Sequence, residues 1–271
     1  MRRIAHISDL HFGADDPAVV QALGDWLIAA APDLVVVSGD LSQRARRAQF
    51  AAADAFVRRL EAAGLALLVV PGNHDVPLHA PLARLFWPLR RYRRLFGARP
   101  RFYADAEVAV LGLSSAHGLT VKDGRLTRRQ IARIERCLAD SPREATRILV
   151  THHPLVPLPR RAGEQDPALR GAERALAAVR RADVHIILAG HHHAHTVVLA
   201  GPDLPIDPAL MVVQAGTATS VRRRGTPNSV NLLHIDGPST LVEEWTSTGA
   251  EFTCARRLRF ERRGATGWHP A

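Results

Sequence analysis

Residues 4–11 read Ile-Ala-His-Ile-Ser-Asp-Leu-His, an apolar run that ends in Asp9 and His11. Residues 34–40 read Leu-Val-Val-Val-Ser-Gly-Asp. They show the same pattern, a short apolar run followed by a carboxylate. Short apolar runs that end in polar or turn-forming residues are typical of buried strands. Four further runs of this kind follow, over residues 65–70, 108–113, 148–151 and 184–189. We therefore expect six strands in the first two thirds of the chain.

Segments with helical spacing of apolar residues separate these strands. They span residues 17–30, 44–63, 127–139 and 168–180, and they give the chain a β-α-β rhythm. The last third changes character, with consecutive strand-like runs at 209–213, 230–235, 240–245 and 252–260. Together the two parts predict an α/β fold in which a sandwich of two mixed β-sheets is flanked by helices.

Composition places the chain among ordinary globular proteins, and we expect a single domain over residues 1–271. Its formal net charge of +10 favours anionic substrates. The arginines occur in scattered pairs and clusters, which indicates a solvated surface; nucleic acid is a possible partner but not a favoured one. No apolar run approaches the roughly 18 residues of a membrane span. With only Cys137 and Cys254 and a start unlike a secretory signal, the sequence predicts a cytoplasmic location and leaves the oligomeric state open.

Side chains that bind metals follow five of the strand-like runs. In an extended segment, residues two apart point the same way, so Asp9 and His11 can reach one point, as can His191 and His193. Ligands of open α/β sheets bind beyond the carboxyl ends of the strands, where such segments converge. The eight candidate groups are Asp9, His11, Asp40, Asn73, His74, His152, His191 and His193.

This set of oxygen and imidazole groups, without thiolates, suits hard or borderline divalent metals such as manganese, iron, zinc or cobalt. Eight groups are too many for one ion and enough for two ions that share a bridging carboxylate. The sequence therefore predicts a site for two divalent metal ions, of the kind that supports phosphoryl transfer.

The series of motifs resembles the signature of the calcineurin-like metallophosphoesterases. The matching blocks, in order, are Asp9-x-His11, Gly39-Asp40, Gly72-Asn73-His74-Asp75, His152 and Gly190-His191-x-His193. The resemblance runs from residue 4 to about residue 236, and it implies a four-layer αββα sandwich.

The resemblance also implies roles for individual residues. Asp9, His11, Asp40 and His193 would hold one metal ion, and Asp40, Asn73, His152 and His191 the other, so that Asp40 bridges. The expected nucleophile is a hydroxide between the two ions. His74 would hydrogen-bond or protonate the leaving oxygen, and Asp75 would orient this end of the site.

Departures from the patterns of individual subfamilies narrow the choice of reaction that this chain could catalyse. Gln43 stands where serine/threonine phosphatases and DNA exonucleases of this family carry an acidic residue, and His74 stands where lipid A pathway pyrophosphatases carry arginine. The chain looks most similar to the bacterial cyclic-nucleotide or glycerophosphodiester phosphodiesterases, which share its Gly-Asn-His-Asp and His-His-Pro segments. We expect a phosphodiesterase acting on a small phosphodiester or another anionic phosphate. The alternatives are a metal-dependent DNA or RNA nuclease and a non-catalytic interaction module, as in the retromer subunit of this fold.

Two residues and two segments are candidates for substrate contact. Arg44 stands four residues after Asp40, where related phosphatases place a phosphate-binding arginine, and His117 lies in a loop that could reach substrate. Residues 77–100, rich in arginine, proline and aromatic side chains, and residues 158–170 lack clean periodicity. We expect both segments to be loops or short helices that cover the site.

Overall fold

The computed structural model describes residues 1–157, 169–199, 207, 209–222, 225–264 and 267–271. Its first sheet has the strand order β13-β12-β11-β10-β1-β2-β3. Strands β1, β2 and β3 are parallel, and the four from the last third of the chain pair antiparallel with β1 and with one another. The bounds are β1 Arg2–Ile7, β2 Leu34–Val37, β3 Leu67–Val69, β10 Ser229–Asp236, β11 Ser239–Ser247, β12 Phe252–Arg262 and β13 Trp268–Pro270.

The second sheet has the strand order β4-β5-β6-β7-β9-β8. Its four central strands are parallel, and β4 and β8 are antiparallel edge strands. The bounds are β4 Phe102–Ala104, β5 Val108–Gly112, β6 Thr146–Val150, β7 Ile186–Ala189, β8 Thr196–Leu199 and β9 Met211–Gln214. Both sheets are therefore mixed, as the sequence predicted.

Helices cover the outer faces of the two sheets. They are α1 Pro17–Ala30, α2 Arg47–Ala62, α3 Pro81–Phe86, α4 Arg90–Phe96, α5 Arg128–Ile134 with a π turn at Glu135–Ala139, and α6 Ala172–Arg181; a 3₁₀ turn spans Asn73–Asp75. Alternate residues of β2 face opposite layers: Val36 packs between the sheets, while Val35 and Val37 pack against α1 and α2. The result is a four-layer αββα sandwich. No described helix has the length and apolar character needed to cross a bilayer.

Most predicted elements appear within a few residues of their expected bounds. The chain between Pro77 and Pro100 contains the two short helices α3 and α4, whereas residues 158–168 of the second covering segment lie outside the described residues. Three short strands, β4, β8 and β13, were not predicted. Their three or four residues are too few to show a hydrophobic period, and pairing with a neighbouring strand defines them instead.

His185, next to β7, is a buried histidine that the fold keeps neutral. Its Nδ1 accepts a hydrogen bond from the backbone N–H of Arg147 at 3.1 Å. Burial, with a contribution from the charge of Arg262, lowers the pKa of His185 to about 4. The unfolded chain takes up this proton near pH 6.5, so the folded state loses stability as the pH falls from 6.5 towards 4.

We expect His185→Asn to reduce this sensitivity to acid. The Oδ1 of asparagine can accept the same backbone hydrogen bond but does not titrate. Between pH 7 and pH 5, the loss of unfolding free energy should be about 2 kcal/mol smaller in the variant than in the wild type. Urea denaturation at both pH values measures the difference, and equal losses would contradict the assignment.

Candidate metal centre

The seven predicted ligand side chains converge on one point between the carboxyl ends of β1, β2, β3, β6 and β7. Five are at most 4% exposed: Asp9, His11, Asp40, His152 and His193. Asn73 is 9% exposed and His191 is half-buried. Residues from five separate loops therefore form one buried polar cluster.

One half of the cluster is built around Asp9. Its Oδ1 lies 3.2 Å from Nε2 of His193 and 3.5 Å from Nε2 of His11, and the two Nε2 atoms are 3.2 Å apart. Oδ2 of Asp40 lies 3.6 Å from the same nitrogen of His11. Four candidate ligand atoms thus face one another.

The other half is built around Asn73. Its Oδ1 lies 3.2 Å from Nε2 of His152 and 3.1 Å from Nδ1 of His191. Nε2 of His152 is 3.3 Å from Oδ2 of Asp40. The same oxygen of Asp40 therefore lies close to both halves, which is the placement a bridging ligand requires.

The donor chemistry of this cluster fits cations. Nδ1 of His152 donates to the carbonyl of Ser38 at 2.8 Å, and Nδ1 of His193 donates to the carbonyl of Arg222 at 3.4 Å. In the neutral rings, both Nε2 atoms then carry lone pairs directed at buried carboxylate oxygens. Oδ1 of Asp9 is buried and accepts no hydrogen bond of normal geometry. Such facing acceptors need a shared positive charge, and divalent ions would supply it.

The pKa values of Asp40 and His152 are shifted by the same attraction between buried carboxylates and imidazole rings. Burial by itself would raise the pKa of Asp40, but positive charge on His152 and His11 holds it well below the usual carboxyl range. Burial would likewise lower the pKa of His152, but the carboxylate of Asp40 raises it to about 9. The cluster attracts positive charge, so protons compete with metal ions for it, and we expect metal affinity to fall as the pH is lowered.

The backbone at the ligands is strained. Five of the eight described non-glycine residues with left-handed φ angles are predicted ligands: Asp9, His11, Asp40, His191 and His193. This conformation costs roughly 1–2 kcal/mol per residue. Strand β1 ends at Ile7 and β7 at Ala189, so neither the Asp9/His11 pair nor the His191/His193 pair lies in a strand. Strand alternation is therefore the wrong reason for the convergence of each Asp/His or His/His pair; left-handed turns bring them together.

Two glycines let these turns pack closely. A Cβ atom on Gly72 would collide with the carboxylate and the backbone nitrogen of Asp40. A Cβ on Gly190 would collide with the side chains of Ser8 and Asp9. The Gly-Asn-His-Asp and Gly-His-x-His motifs thus need glycine at their first position, because the neighbouring ligand loop leaves no room for a side chain there.

His74 borders the cluster and is half-buried. Its backbone N–H donates to Oδ1 of Asp40 at 2.8 Å, and its Nδ1 donates to the carbonyl of Gln43 at 2.8 Å. The ring meets that of His11 edge-on, with centroids 4.7 Å apart. Nε2 of His74 is left as the ring atom available to a substrate.

Asp75 contacts the backbone directly after the bridging residue and the backbone of its own loop. Its carboxylate accepts hydrogen bonds from the backbone N–H groups of Leu41, Ser42 and Gly72 at 2.8–3.1 Å. The hydroxyl of Ser42 also donates to it, at 2.8 Å. Burial, with the nearby charge of Asp40, raises the pKa of Asp75 to about 6. These contacts fix the loop that carries Asp40; a direct part in catalysis stays a prediction.

The two predicted substrate-binding residues lie in different settings. Arg44 is exposed, and its backbone N–H donates to Oε1 of Gln49 at 2.9 Å. It directly follows Gln43, whose carbonyl accepts the hydrogen bond from His74. His117 is half-buried, and its Nδ1 accepts from the N–H of Leu119 within its own loop at 3.1 Å. Their contact with substrate stays a prediction.

His153 lies beside the cluster but belongs to none of the five motif blocks. A ring nitrogen of His153 lies within 4.8 Å of ligand atoms of His152 and His191. Both of its ring nitrogens are already engaged, Nε2 with the carbonyl of Lys122 and Nδ1 with the hydroxyl of Ser115, each at 2.8 Å. His153 therefore anchors the 115–122 loop. The carbonyl groups that orient the ligand rings could not be identified from sequence, because any residue supplies one.

Residues 2–195 match the family model described as "Calcineurin-like phosphoesterase". The chain belongs to the calcineurin-like phosphoesterase family. Membership supports a metal-dependent phosphoester hydrolase that uses two metal ions. No match to a curated protein was found.

Solved structures share the fold at low sequence identity. The purple acid phosphatase PPD1 from yellow lupin (Lupinus luteus) seeds is 15% identical, with a TM-score of 0.72 over 97% of this chain and 54% of that chain. The chain thus spans about half the length of the lupin enzyme. A dimetal phosphatase from Danio rerio is 13% identical, with a TM-score of 0.64 over 93% and 98% of the two chains. Vacuolar Protein Sorting 29 from Cryptosporidium parvum is 16% identical, with a TM-score of 0.51 over 96% and 98%.

We expect the wild-type chain to bind two divalent ions and the ligand variants to bind fewer. Asp9→Asn should lose one ion because Asp9 belongs to one half of the cluster only. Asp40→Asn should lose both, since Asp40 lies at both halves. Elemental analysis of protein equilibrated with manganese measures the stoichiometry, with Asp140→Asn at an exposed site as the control. Equal stoichiometry in Asp9→Asn and Asp40→Asn would contradict the bridging assignment.

Gly72→Ala provides a test that leaves every ligand in place. The φ of Gly72 is −106°, which alanine tolerates, so only the collision with Asp40 should matter. We expect a folded protein with at least a tenfold loss of manganese affinity, by calorimetry. Gly64→Ala is unsuitable as its control because of its positive φ. Gly24→Ala, within α1, serves for the general effect of the substitution, since a Cβ there would meet only the movable guanidinium of Arg59. Undiminished affinity in Gly72→Ala would refute the packing argument.

Proposed function

We propose that this protein is a phosphodiesterase that uses two divalent metal ions and resembles the bacterial cyclic-nucleotide and glycerophosphodiester enzymes. The observation that carries the proposal is the pair of buried ligand groups that share one oxygen of Asp40. Manganese, iron, zinc and cobalt all suit this donor set, which mixes oxygen with imidazole nitrogen.

Two ions held here would polarise the phosphate and lower the pKa of an attacking water. One ion would be held by Asp9, His11 and His193. The other would be held by Asn73, His152 and His191, and Asp40 would bind both ions. The carbonyl of Ser38 keeps the ring of His152 in the orientation that ligation needs. The hydrogen bonds that Asp75 accepts keep the Asp40 loop at its distance from the histidines.

His74 is the group that we assign to the leaving oxygen. Attack of water forms one P–O bond as the ester P–O bond breaks, and the departing oxygen then needs a proton. With Nδ1 donating to the carbonyl of Gln43, a protonated His74 ring has its Nε2–H free for that oxygen. Arg44 and His117 would contact the rest of the substrate.

Other classes of function make different predictions. A nuclease would bind polynucleotides with a steep dependence on salt. A non-catalytic interaction module would not need buried, strained metal ligands, and the complete set here argues against it.

The substrate class is tested with manganese-loaded enzyme. We expect bis-p-nitrophenyl phosphate to be hydrolysed faster than p-nitrophenyl phosphate, and cyclic AMP faster than single-stranded DNA. Asp40→Ala and His152→Ala should stay folded by circular dichroism and lose turnover. Full turnover in either variant, or a preference for the monoester, would refute the proposal.

The role of His74 is tested by varying the leaving group. p-Nitrophenolate departs without a proton, whereas the ribose oxygen of cyclic AMP needs one. His74→Gln should therefore lower kcat for cyclic AMP by about 10²-fold or more and kcat for bis-p-nitrophenyl phosphate much less, with metal content unchanged. The exposed His79→Gln is the matched control. Equal losses on both substrates, or a loss of metal, would instead make His74 a ligand or a support for one.

A further inference from the structure

Seven large hydrophobic side chains are exposed on two adjoining segments beside the metal centre. The described residues include nine exposed large hydrophobic side chains in total, so most of them lie in this one region. We call the seven the apolar patch: Leu78, Leu82, Leu85, Phe86, Trp87, Leu119 and Val121. A patch of this kind marks an interaction surface, whereas isolated exposed hydrophobic residues are ordinary.

The two segments that form the patch are in contact. The guanidinium of Arg84, in α3, donates a hydrogen bond to the carbonyl of Thr120. A Cβ on Gly118 would collide with the carbonyl of Arg84, which shows how closely the 118–121 loop lies against α3. Helix α3 has no buried residue, and its Leu82 and Phe86 are 72% and 62% exposed. The patch is therefore a surface of its own and does not complete the core.

Positively charged residues lie next to the patch. Residues 77–100 include six arginines and no aspartate or glutamate. In α4, Arg90, Arg93 and Arg94 are exposed, while Tyr92 and Phe96 are buried. The Tyr92 hydroxyl donates to the carbonyl of Val69 at 2.7 Å, which ties the charged helix to β3. The only lysine of the chain, Lys122, follows Val121 and is exposed.

The patch adjoins the metal centre. A cavity of about 570 Å³ is lined by Trp87 of the patch, by Arg90, Arg91 and Arg94 of α4, and by Asp75 beside His74. Nη1 of Arg91 donates to the carbonyl of Ala45, one residue beyond Arg44. The patch therefore adjoins two loops that border the metal centre, the one that carries His74 and Asp75 and the 115–122 loop that His153 anchors.

We propose that the apolar patch and the arginines of α4 dock on an anionic phospholipid surface. Leucine, phenylalanine and tryptophan side chains insert at the boundary between headgroups and acyl chains, and arginines bind lipid phosphates at the same depth. Both features are present here on one face. A protein that docks in this way lies on the bilayer without crossing it. On the proposed function, this orientation would present the metal centre to phosphodiesters at the membrane surface.

Charge favours a lipid surface over a second copy of this chain. A two-fold symmetric dimer through the patch would place the arginine cluster of one copy near that of the other. That arrangement adds repulsion, whereas anionic headgroups neutralise the same cluster. Only Phe86 and Trp87 of the patch carry rings on which nucleic-acid bases could stack, and its other five side chains are aliphatic, so the patch fits acyl chains better than a single strand.

Flotation with lipid vesicles tests the proposal on the chain of residues 1–271. We expect binding to vesicles of phosphatidylcholine and phosphatidylglycerol in equal parts, little binding to phosphatidylcholine alone, and release at about 0.5 M salt. The double variant Leu82→Ser/Phe86→Ser should lose at least tenfold in binding. Val221→Ser, at an exposed hydrophobic residue elsewhere, should not.

The contribution of charge is tested separately. Arg93→Ser/Arg94→Ser should weaken binding by about 25-fold, given roughly fivefold for each arginine near an anionic surface. Arg174→Ser/Arg259→Ser removes the same charge from exposed positions on α6 and β12 and should have little effect. Equal losses in the two double variants would show attraction by net charge alone and overturn the assignment to this face.

Two further results keep docking and catalysis distinguishable. The patch variants should hydrolyse bis-p-nitrophenyl phosphate at the wild-type rate, and Asp40→Ala should still bind vesicles. If Asp40→Ala keeps its activity, the proposed function fails and the docking surface stands. The docking proposal is overturned if no anionic vesicle binds, or if Leu82→Ser/Phe86→Ser instead dissociates a dimer in size-exclusion chromatography.

Discussion

The structure depends on two carboxylates, Asp9 and Asp40, that are held away from water. Each is at most 1% exposed, and histidine nitrogens lie within 3.2–3.6 Å of both. Buried carboxylates are costly unless positive charge or hydrogen bonds compensate them. Here the neighbouring rings provide that compensation only when a proton or a metal ion lies between the groups. The need for a shared cation explains the arrangement of the loops around it.

Backbone strain follows from the same constraint. Asp40 turns left-handed directly after Gly39, so its carboxylate reaches the histidines of both halves. Gly72 makes room for that carboxylate, and Asp75 accepts hydrogen bonds from the backbone N–H groups of both Leu41 and Gly72. Strain of this kind persists where the surrounding structure over-determines it, and it concentrates at functional sites. The two sheets supply the rigid frame, since all five ligand loops leave the carboxyl ends of strands.

Much of this architecture could be predicted because its signals are local. The α1 bounds match the predicted 17–30, and the polar residues that follow apolar runs do lie together in one cluster. The geometry of the loops could not: Asp9 and His11 were assigned to an extended segment, but β1 ends at Ile7. Left-handed φ angles at aspartate and histidine have no signature in the sequence, because tertiary contacts impose them. The same holds for β8, whose half-buried Thr196–Leu199 becomes a strand by pairing with β9.

Residues 77–100 illustrate the other limit of sequence reasoning. The arginines were visible, but a helix as short as α3 gives no period from which exposure could be inferred. Only the fold shows that Phe86 and Trp87 face outward beside the metal centre.

The central claim, a shared aspartate between two ions, is tested most directly by anomalous diffraction at the manganese edge. The account predicts two peaks, one among Asp9, His11 and His193, the other among Asn73, His152 and His191, with Asp40 touching both. A single peak, or peaks away from Asp40, would contradict it.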